Sequence, residues 1–324
     1  MKRRASQQGY VLLLVMGMLA VASFVALRFA ERMDLRRQEA LGLRQYVEAR
    51  TLAQGAQATA LFWMSTHALA PAGHGRDGEG LLREDGTWYA MPDGALLQVQ
   101  DHRGLLSVNA LNRPAMTQLL RGTGMSLQQA DAALDVLEDY VDVDNLKRLN
   151  GAEADDYRRL GLPPPRNDWL MSLGELGNLP HWGGEPARLQ TLRELLHTDV
   201  DNQFNPNTAP MAVLRARFPQ ADEAQLARLE GLRRQQGLPN GRMAMAAIGL
   251  PLDQDDYIYA PGFSSRLRVW APGLPRALEY NVRLVPAGAA PWMILDQQTV
   301  SAPLHTPDER RAIPNFPASL AQRP

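Results

Sequence analysis

Residues 7–32 read QQGYVLLLVMGMLAVASFVALRFAER, and the fate of this stretch decides how the rest of the chain is arranged. Lys2, Arg3 and Arg4 precede it, and no further charge occurs until Arg28. Between them, Tyr10 to Leu27 is an apolar run of 18 residues. That approaches the ~20 residues of helix needed to cross a bilayer's hydrocarbon core. Basic residues ahead of the run hold that end in the cytoplasm and send the remainder outward. A cleaved signal peptide wants small residues before its cut, which Ala20-Val21-Ala22 supplies, yet the apolar run continues through Phe24 to Leu27. A plain anchor fits the run but gives Gly9 no role. The third reading is a cut at Gly9 with the span retained.

The sequence beyond the span favours that third reading. The first proline is Pro71, so nothing forbids one helix from Tyr10 to about Met64. Its second half is rich in Ala, Leu, Arg, Glu and Gln, all good helix formers. Leu35, Leu43, Tyr46, Val47, Leu52, Ala56 and Leu61 recur at spacings compatible with one helical stripe. At 1.5 Å per residue this predicts a rod of about 80 Å, greasy in its first half and amphipathic in its second.

A short basic leader ending in glycine, followed by an apolar span that runs on into a rod, resembles the type IV pilin-like subunits. The segment RRASQQG-YVLLLVMG is similar to a prepilin cleavage site, with the cut between Gly9 and Tyr10. The family usually carries glutamate at the fifth mature position, where this chain has Leu14. A carboxylate in the bilayer costs several kcal/mol unless paired. The resemblance implies that it pairs with the terminal amine of the subunit ahead, which a subunit at the extreme tip lacks. Among the pseudopilins of the type II secretion system, the K subunit is the one that typically lacks this glutamate.

The head opens and closes in β-type sequence. ALLQVQD alternates partly at period two between the Pro92-Asp93-Gly94 turn and a second turn at Arg103-Gly104, which leads into LLSVNAL. SRLRVWAPG, ALEYNVRLVPAG and APWMILDQQTV alternate near the other end. The middle is helical and weakly duplicated, VNALNRPAMTQLLRG matching FNPNTAPMAVLRARF, with Asn112 and Asn207 placed to cap the helices that follow. The second unit also resembles helix-hairpin-helix modules of membrane-tethered DNA-uptake receptors. Those need a glycine-apolar-glycine hairpin, whereas this chain has FPQADEA there.

Glu138, Asp139, Asp142, Asp144, Glu153, Asp155 and Asp156 place seven carboxylates in 19 residues. Their chemistry leaves two readings open: a solvated acidic loop, or a site for a hard cation such as calcium. K-subunit pseudopilins carry a similar stretch, D-W-x-D-x-D followed by G-A-E-D. Here it reads Asp139-Tyr140-Val141-Asp142-Val143-Asp144, then Gly151-Ala152-Glu153-Ala154. The resemblance implies calcium held by Asp139, Asp142, Asp144, Glu153, Asp155 and Asp156. Tyr140 and Ala154 depart from the family pattern.

Other classes of function find no support. The chain lacks cysteine, which excludes disulfides and zinc-cysteine sites, and its net charge of −1 gives no argument for nucleic acid. It has no G-x-S-x-G, P-loop or H-E-x-x-H, and its six histidines are scattered without ligand spacing. Catalysis is not expected.

The reading is an α+β protein in five parts. These are a leader (1–9), a membrane and rod helix (10–65), a pilin-like αβ head (66–108 and 253–300), an inserted all-α domain with two repeats (109–252), and a Pro-rich disordered tail (301–324). The resemblance to the K minor pseudopilins implies a place at the tip of a periplasmic pseudopilus. The anchor would lie in the inner membrane, and the partners would be the I and J minor pseudopilins, other pseudopilins, and exported substrates or the outer-membrane secretin. The alternatives are a tip minor pilin of a type IV pilus and the DNA-uptake receptor. Mass spectrometry of the membrane-extracted protein is expected to find a mature chain that begins at Tyr10, with a methylated amino terminus. A start at Ser23 would restore the secretory signal.

Overall fold

The computed structural model describes residues 8–76, 80–249, 257–303 and 312–317. The leader up to Gln7 and most of the tail lie outside the described residues. Helix α1 (Gln8–Thr66) is unbroken over 59 residues, about 90 Å at 1.5 Å each. It is long and apolar enough to cross a membrane, and the apolar window is wholly exposed. Leu35, Leu43, Tyr46 and Val47 are exposed as well, so most of the predicted stripe meets nothing within the chain. Only Leu52, Ala56 and Leu61 of that set pack on the head. The face that docks instead is Ala49, Ala53, Ala56 and Ala60, at helical spacing and almost wholly buried. Small side chains let the helix axis lie close to the sheet, which larger residues at these positions would hold off.

The glycine-rich stretch after α1 forms a small sheet. Strands β1 (Leu69–Ala70), β2 (Gly73–Arg76) and β3 (Gly80–Arg83) pair antiparallel. Glycine permits it: a Cβ on Gly73 would lie 1.8 Å from the carbonyl oxygen of Leu82. The main sheet runs β10-β9-β8-β5-β4. Its strands are β4 (Asp85–Ala90), β5 (Leu96–Asp101), β8 (Ser264–Trp270), β9 (Ala277–Leu284) and β10 (Trp292–Val300), all antiparallel. Leu97, Val99, Leu267, Val269, Tyr280 and Val282 face α1 and form the head core with Trp63 and Met64. The hairpin joining β4 to β5 turns at Gly94, whose φ of 85° needs glycine.

The tail was expected to be disordered, but residues 313–317 dock on the free edge of β4. Ala90 N donates to Pro314 O and Phe316 N donates to Ala90 O, both at 2.9 Å. Phe316 meets Trp63 edge-on at 5.6 Å between ring centroids. An edge strand offers unpaired backbone groups, and an aromatic slot beside it fixes the register. The expected turn at Arg103-Gly104 is a 3-10 turn that carries the chain out of the sheet and into Leu106–Ser107; Gly104 packs against the carbonyl of Thr208 with no room for a Cβ.

The chain then forms β6 (Leu106–Ser107), α2 (Arg113–Gly122), α3 (Leu127–Val141), α4 (Ala154–Leu160), α5 (Pro186–Leu195) and β7 (Leu196–His197). It continues through α6 (Met211–Arg217), α7 (Glu223–Gln235) and α8 (Gly241–Ile248). These elements share a second core around Met116, Leu120, Leu134, Trp182, Phe204 and Leu214. That core starts at Leu106 and takes in Tyr257 and Tyr259, so it is wider than 109–252, because β6 pairs in parallel with β7. The two matched segments open the successions α2, α3 and α6, α7; α2 packs on both α3 and α6, and α7 packs on α8. Each second helix opens with a capping box, Ser126 with Gln129 and Asp222 with Gln225. Asn112 caps α2 as expected, accepting from Ala115 N at 3.0 Å. Asn207 does not cap α6. It is fully buried and bridges both backbone groups of Leu238 at 2.7 and 3.0 Å, because Pro210 already opens that helix.

The two cores meet at Asp101, which is wholly buried. Its Oδ1 accepts from Arg103 N and Gly262 N, each at 3.0 Å. Its Oδ2 accepts from Thr208 Oγ1 at 2.8 Å and Asn205 Nδ2 at 3.2 Å. Burial, then the neighbouring Glu84, push this carboxyl up from 3.8 to about 7. The folded chain therefore holds the proton more tightly than the unfolded chain, so this group's contribution to stability falls as pH rises from 3.8 through about 7. Asp101→Asn presents an NH2 group to two of the donors and should cost about 3 kcal/mol or more in denaturant melts. It should also remove that pH slope, read as the difference between wild-type and variant melting curves.

Candidate functional site

The acidic residues cluster where α3 ends and α4 begins. Leu134, Leu137 and Tyr140 face the helical core, which turns Asp139 and Asp142 together toward the following loop. Carboxylates at a helix C-terminus oppose the macrodipole and need a cation nearby. Arg148 supplies one. Its Nη1 lies 2.7 Å from Asp139 Oδ1 and 2.6 Å from Asp142 Oδ2, and its Nε lies 2.9 Å from Glu138 Oε2. Its backbone N also donates to Asp139 Oδ2 at 3.1 Å. Hydrogen bonds donated to Asp142 and then to Asp139 raise the guanidinium pKa above its ordinary value. Gly151 is required here, since a Cβ would sit 1.8 Å from Asp139 Oδ2. A second fork joins the same group, Arg113 reaching Asp135 and Glu138 at 2.7 Å each.

Glu153 precedes α4, and its carboxylate is buried with neither oxygen partnered. Burial, then the charges of Asp139, Asp142, Asp144 and Asp156, raise its pKa. Asp142 Oδ1 is likewise buried and unpartnered. Asp156 accepts from Glu153 N at 3.1 Å and pairs with Lys147 at 3.0 Å and with Arg159. The backbone bond, then Lys147, hold it down at about 2. Two residues named from the sequence stand apart. Asp144 Oδ1 accepts from Leu146 N at 2.7 Å on an exposed loop. Asp155 points to solvent and pairs with Arg158. Asp139, Asp142 and Glu153 are thus brought together, Asp156 and Asp144 lie within electrostatic reach, and Asp155 lies outside. Arg148 was not foreseen, because a cation six residues beyond Asp142 gives no sequence signal of folding back.

The sequence also missed a histidine pair. His102 and His197, read as scattered, stack with ring centroids 5.1 Å apart. With Asp199 they form the one group, among the described residues, whose potential ligand atoms all lie within 4.8 Å of one another. His67 stacks on Trp63, and His74 pairs with the buried Glu84 at 2.5 Å.

Residues 95–198, from β5 to β7 and including the acidic cluster, match the family model described as type II secretion system (T2SS), protein K. This segment is similar to protein K of the type II secretion system. A solved structure shares the chain's fold: a chain of the GspK-GspI-GspJ complex from enterotoxigenic Escherichia coli. The match covers 84% of this chain and 100% of that chain, with a TM-score of 0.57 at 16% identity. No curated protein sequence matches the chain. The matched protein K segment contributes β6, α2 to α5 and β7, and so supplies most of the elements that position both clusters.

Proposed function

We propose that this chain works as the K minor pseudopilin at the tip of a type II secretion pseudopilus. Its anchor helix would lie in the inner membrane, with its N-terminus cytoplasmic and its head periplasmic. The role is mechanical: to start assembly with the I and J minor pseudopilins and to support export of folded proteins. The observation that carries this reading is the segment similar to protein K, set in a head at the end of one continuous helix, whose apolar half stays uncovered. Leu14 supports the tip position, since a subunit with nobody ahead of it needs no buried carboxylate for pairing. The uncovered stripe at Leu35, Leu43 and Val47 supplies a surface for bundling with partner helices, worth roughly 25 cal/mol per Å² buried. A type IV pilus subunit would share the helix but leaves the protein K match unexplained.

Co-expression of the full chain with the I and J pseudopilins of the same machine should give a ternary complex in detergent. Purification of an I–J pair without this chain would refute the tip assignment.

Calcium belongs to the same proposal. The unpartnered, buried oxygens of Glu153 and Asp142 beside Asp139 fit a hard oxygen-preferring cation. Those three would hold it, and Arg148 would yield its place and turn toward Glu138. Binding only to the folded state stabilises by about 2.7 kcal/mol at a hundredfold excess over Kd. Millimolar calcium should therefore raise the melting temperature of the wild type and leave Glu153→Gln unmoved. An unchanged wild-type melting temperature would sink the assignment.

A further inference from the structure

We propose that His102, His197 and Asp199 form a site for a first-row transition-metal dication, zinc foremost, on the seam between the head sheet and the helical insert. His102 opens the turn that leaves β5, His197 ends β7, and Asp199 follows two residues later. Their potential ligand atoms lie within 4.8 Å of one another. The two imidazoles are almost wholly buried, at 5% and 3% exposure. His102 Nδ1 lies 2.7 Å from Asp199 Oδ2. Asp199 N donates to His197 Nδ1 at 3.2 Å, which puts the ring's proton on Nε2 and makes Nδ1 the nitrogen with a lone pair to offer.

The donor set selects the metal class. Two imidazoles and a carboxylate suit zinc and its neighbours, whereas calcium and magnesium take oxygen ligands. Arg283 Nη2 occupies Asp199 Oδ1 at 2.7 Å, which leaves Oδ2 as the metal-facing oxygen and fixes the carboxylate's orientation. His102 and Asp199 also line a cavity of about 480 Å³ with Arg103, Phe263 and Arg283, which gives a path of entry and room for a water ligand. Because His102 comes from the head and the other two from the insert, the metal would clamp one to the other.

The test uses the full chain in detergent, purified without a histidine tag and kept in millimolar calcium to occupy the acidic cluster. Zinc alone is titrated against a chromophoric chelator, and melting temperature is followed. The expected result is one tightly bound equivalent and a raised melting temperature. Affinity should fall at least tenfold in His197→Gln and in Asp199→Asn, in line with the ~10–100-fold losses typical around metal sites. Cobalt(II) on the wild type should give the intense visible absorption of a four- or five-coordinate site with nitrogen ligands, a readout that depends on no variant. No zinc uptake and no cobalt band would overturn the proposal, as would zinc affinity unchanged in both variants. Should the variants fail to fold, the wild-type cobalt spectrum decides.

Discussion

The structure turns on one buried carboxylate. Strands β5 and β8 are adjacent antiparallel partners, Asp101 opposite Ser265, and in a simpler fold they would form a hairpin. Instead the whole helical insert leaves after β5 and returns before β8. Closing so long an excursion costs little more than closing a short one, about 0.6 kcal/mol per doubling of length. The harder requirement is geometric, since both ends must meet at one point. Asp101 meets it by accepting from the chain just after departure (Arg103), from the middle of the insert (Asn205 and Thr208) and from the returning segment (Gly262). Gln100 extends the junction by donating to Thr208 O at 2.9 Å. Every lone pair of the carboxylate has a donor there, which offsets part of the cost of burying it.

The same economy governs the back of the sheet. Arg266, Arg268 and Glu279 project away from α1, where an exposed sheet face would normally be solvated. The end of α5 covers them: Arg268 pairs with Glu194 and Glu279, and Arg266 donates to Leu196 O at 2.6 Å. The insert is therefore fixed to the head by polar contacts at the seam, while each unit keeps its own apolar core. The apolar face of α1 above Ala49 has no partner within the chain. A helix that buries only its last turns is built to find the rest of its contacts in an assembly.

Charge is organised by position on helices. Glu138, Asp139 and Asp142 crowd the unfavourable end of α3 and draw in Arg148, whereas Asp155 and Asp156 sit at the favourable start of α4. Glu153 falls between the two groups with an unmatched carboxylate. The cluster thus holds an internal cation and still has acceptor oxygens left over, an arrangement that a second cation of higher charge can exploit.

The sequence by itself determined the unbroken helix, the β-type ends of the head and the helical middle. Each depends on local signals: the absence of proline before Pro71, period-two alternation, and turn residues such as Gly94. The acidic cluster was legible for the same reason, because its members are near neighbours in the chain. Tertiary structure alone decided what depended on distant meetings. The helix docks through alanines rather than through the larger residues of the stripe, since close approach to the sheet outweighs side-chain size. Asn207 bridges Leu238 instead of capping a helix, and the supposed disordered tail lays Phe316 against Trp63 because β4 offers an edge. His102 and His197 came together only when β6 paired with β7. Local pattern reports the conformation of a segment, but it carries no information on which buried polar groups a fold will bring within reach of each other.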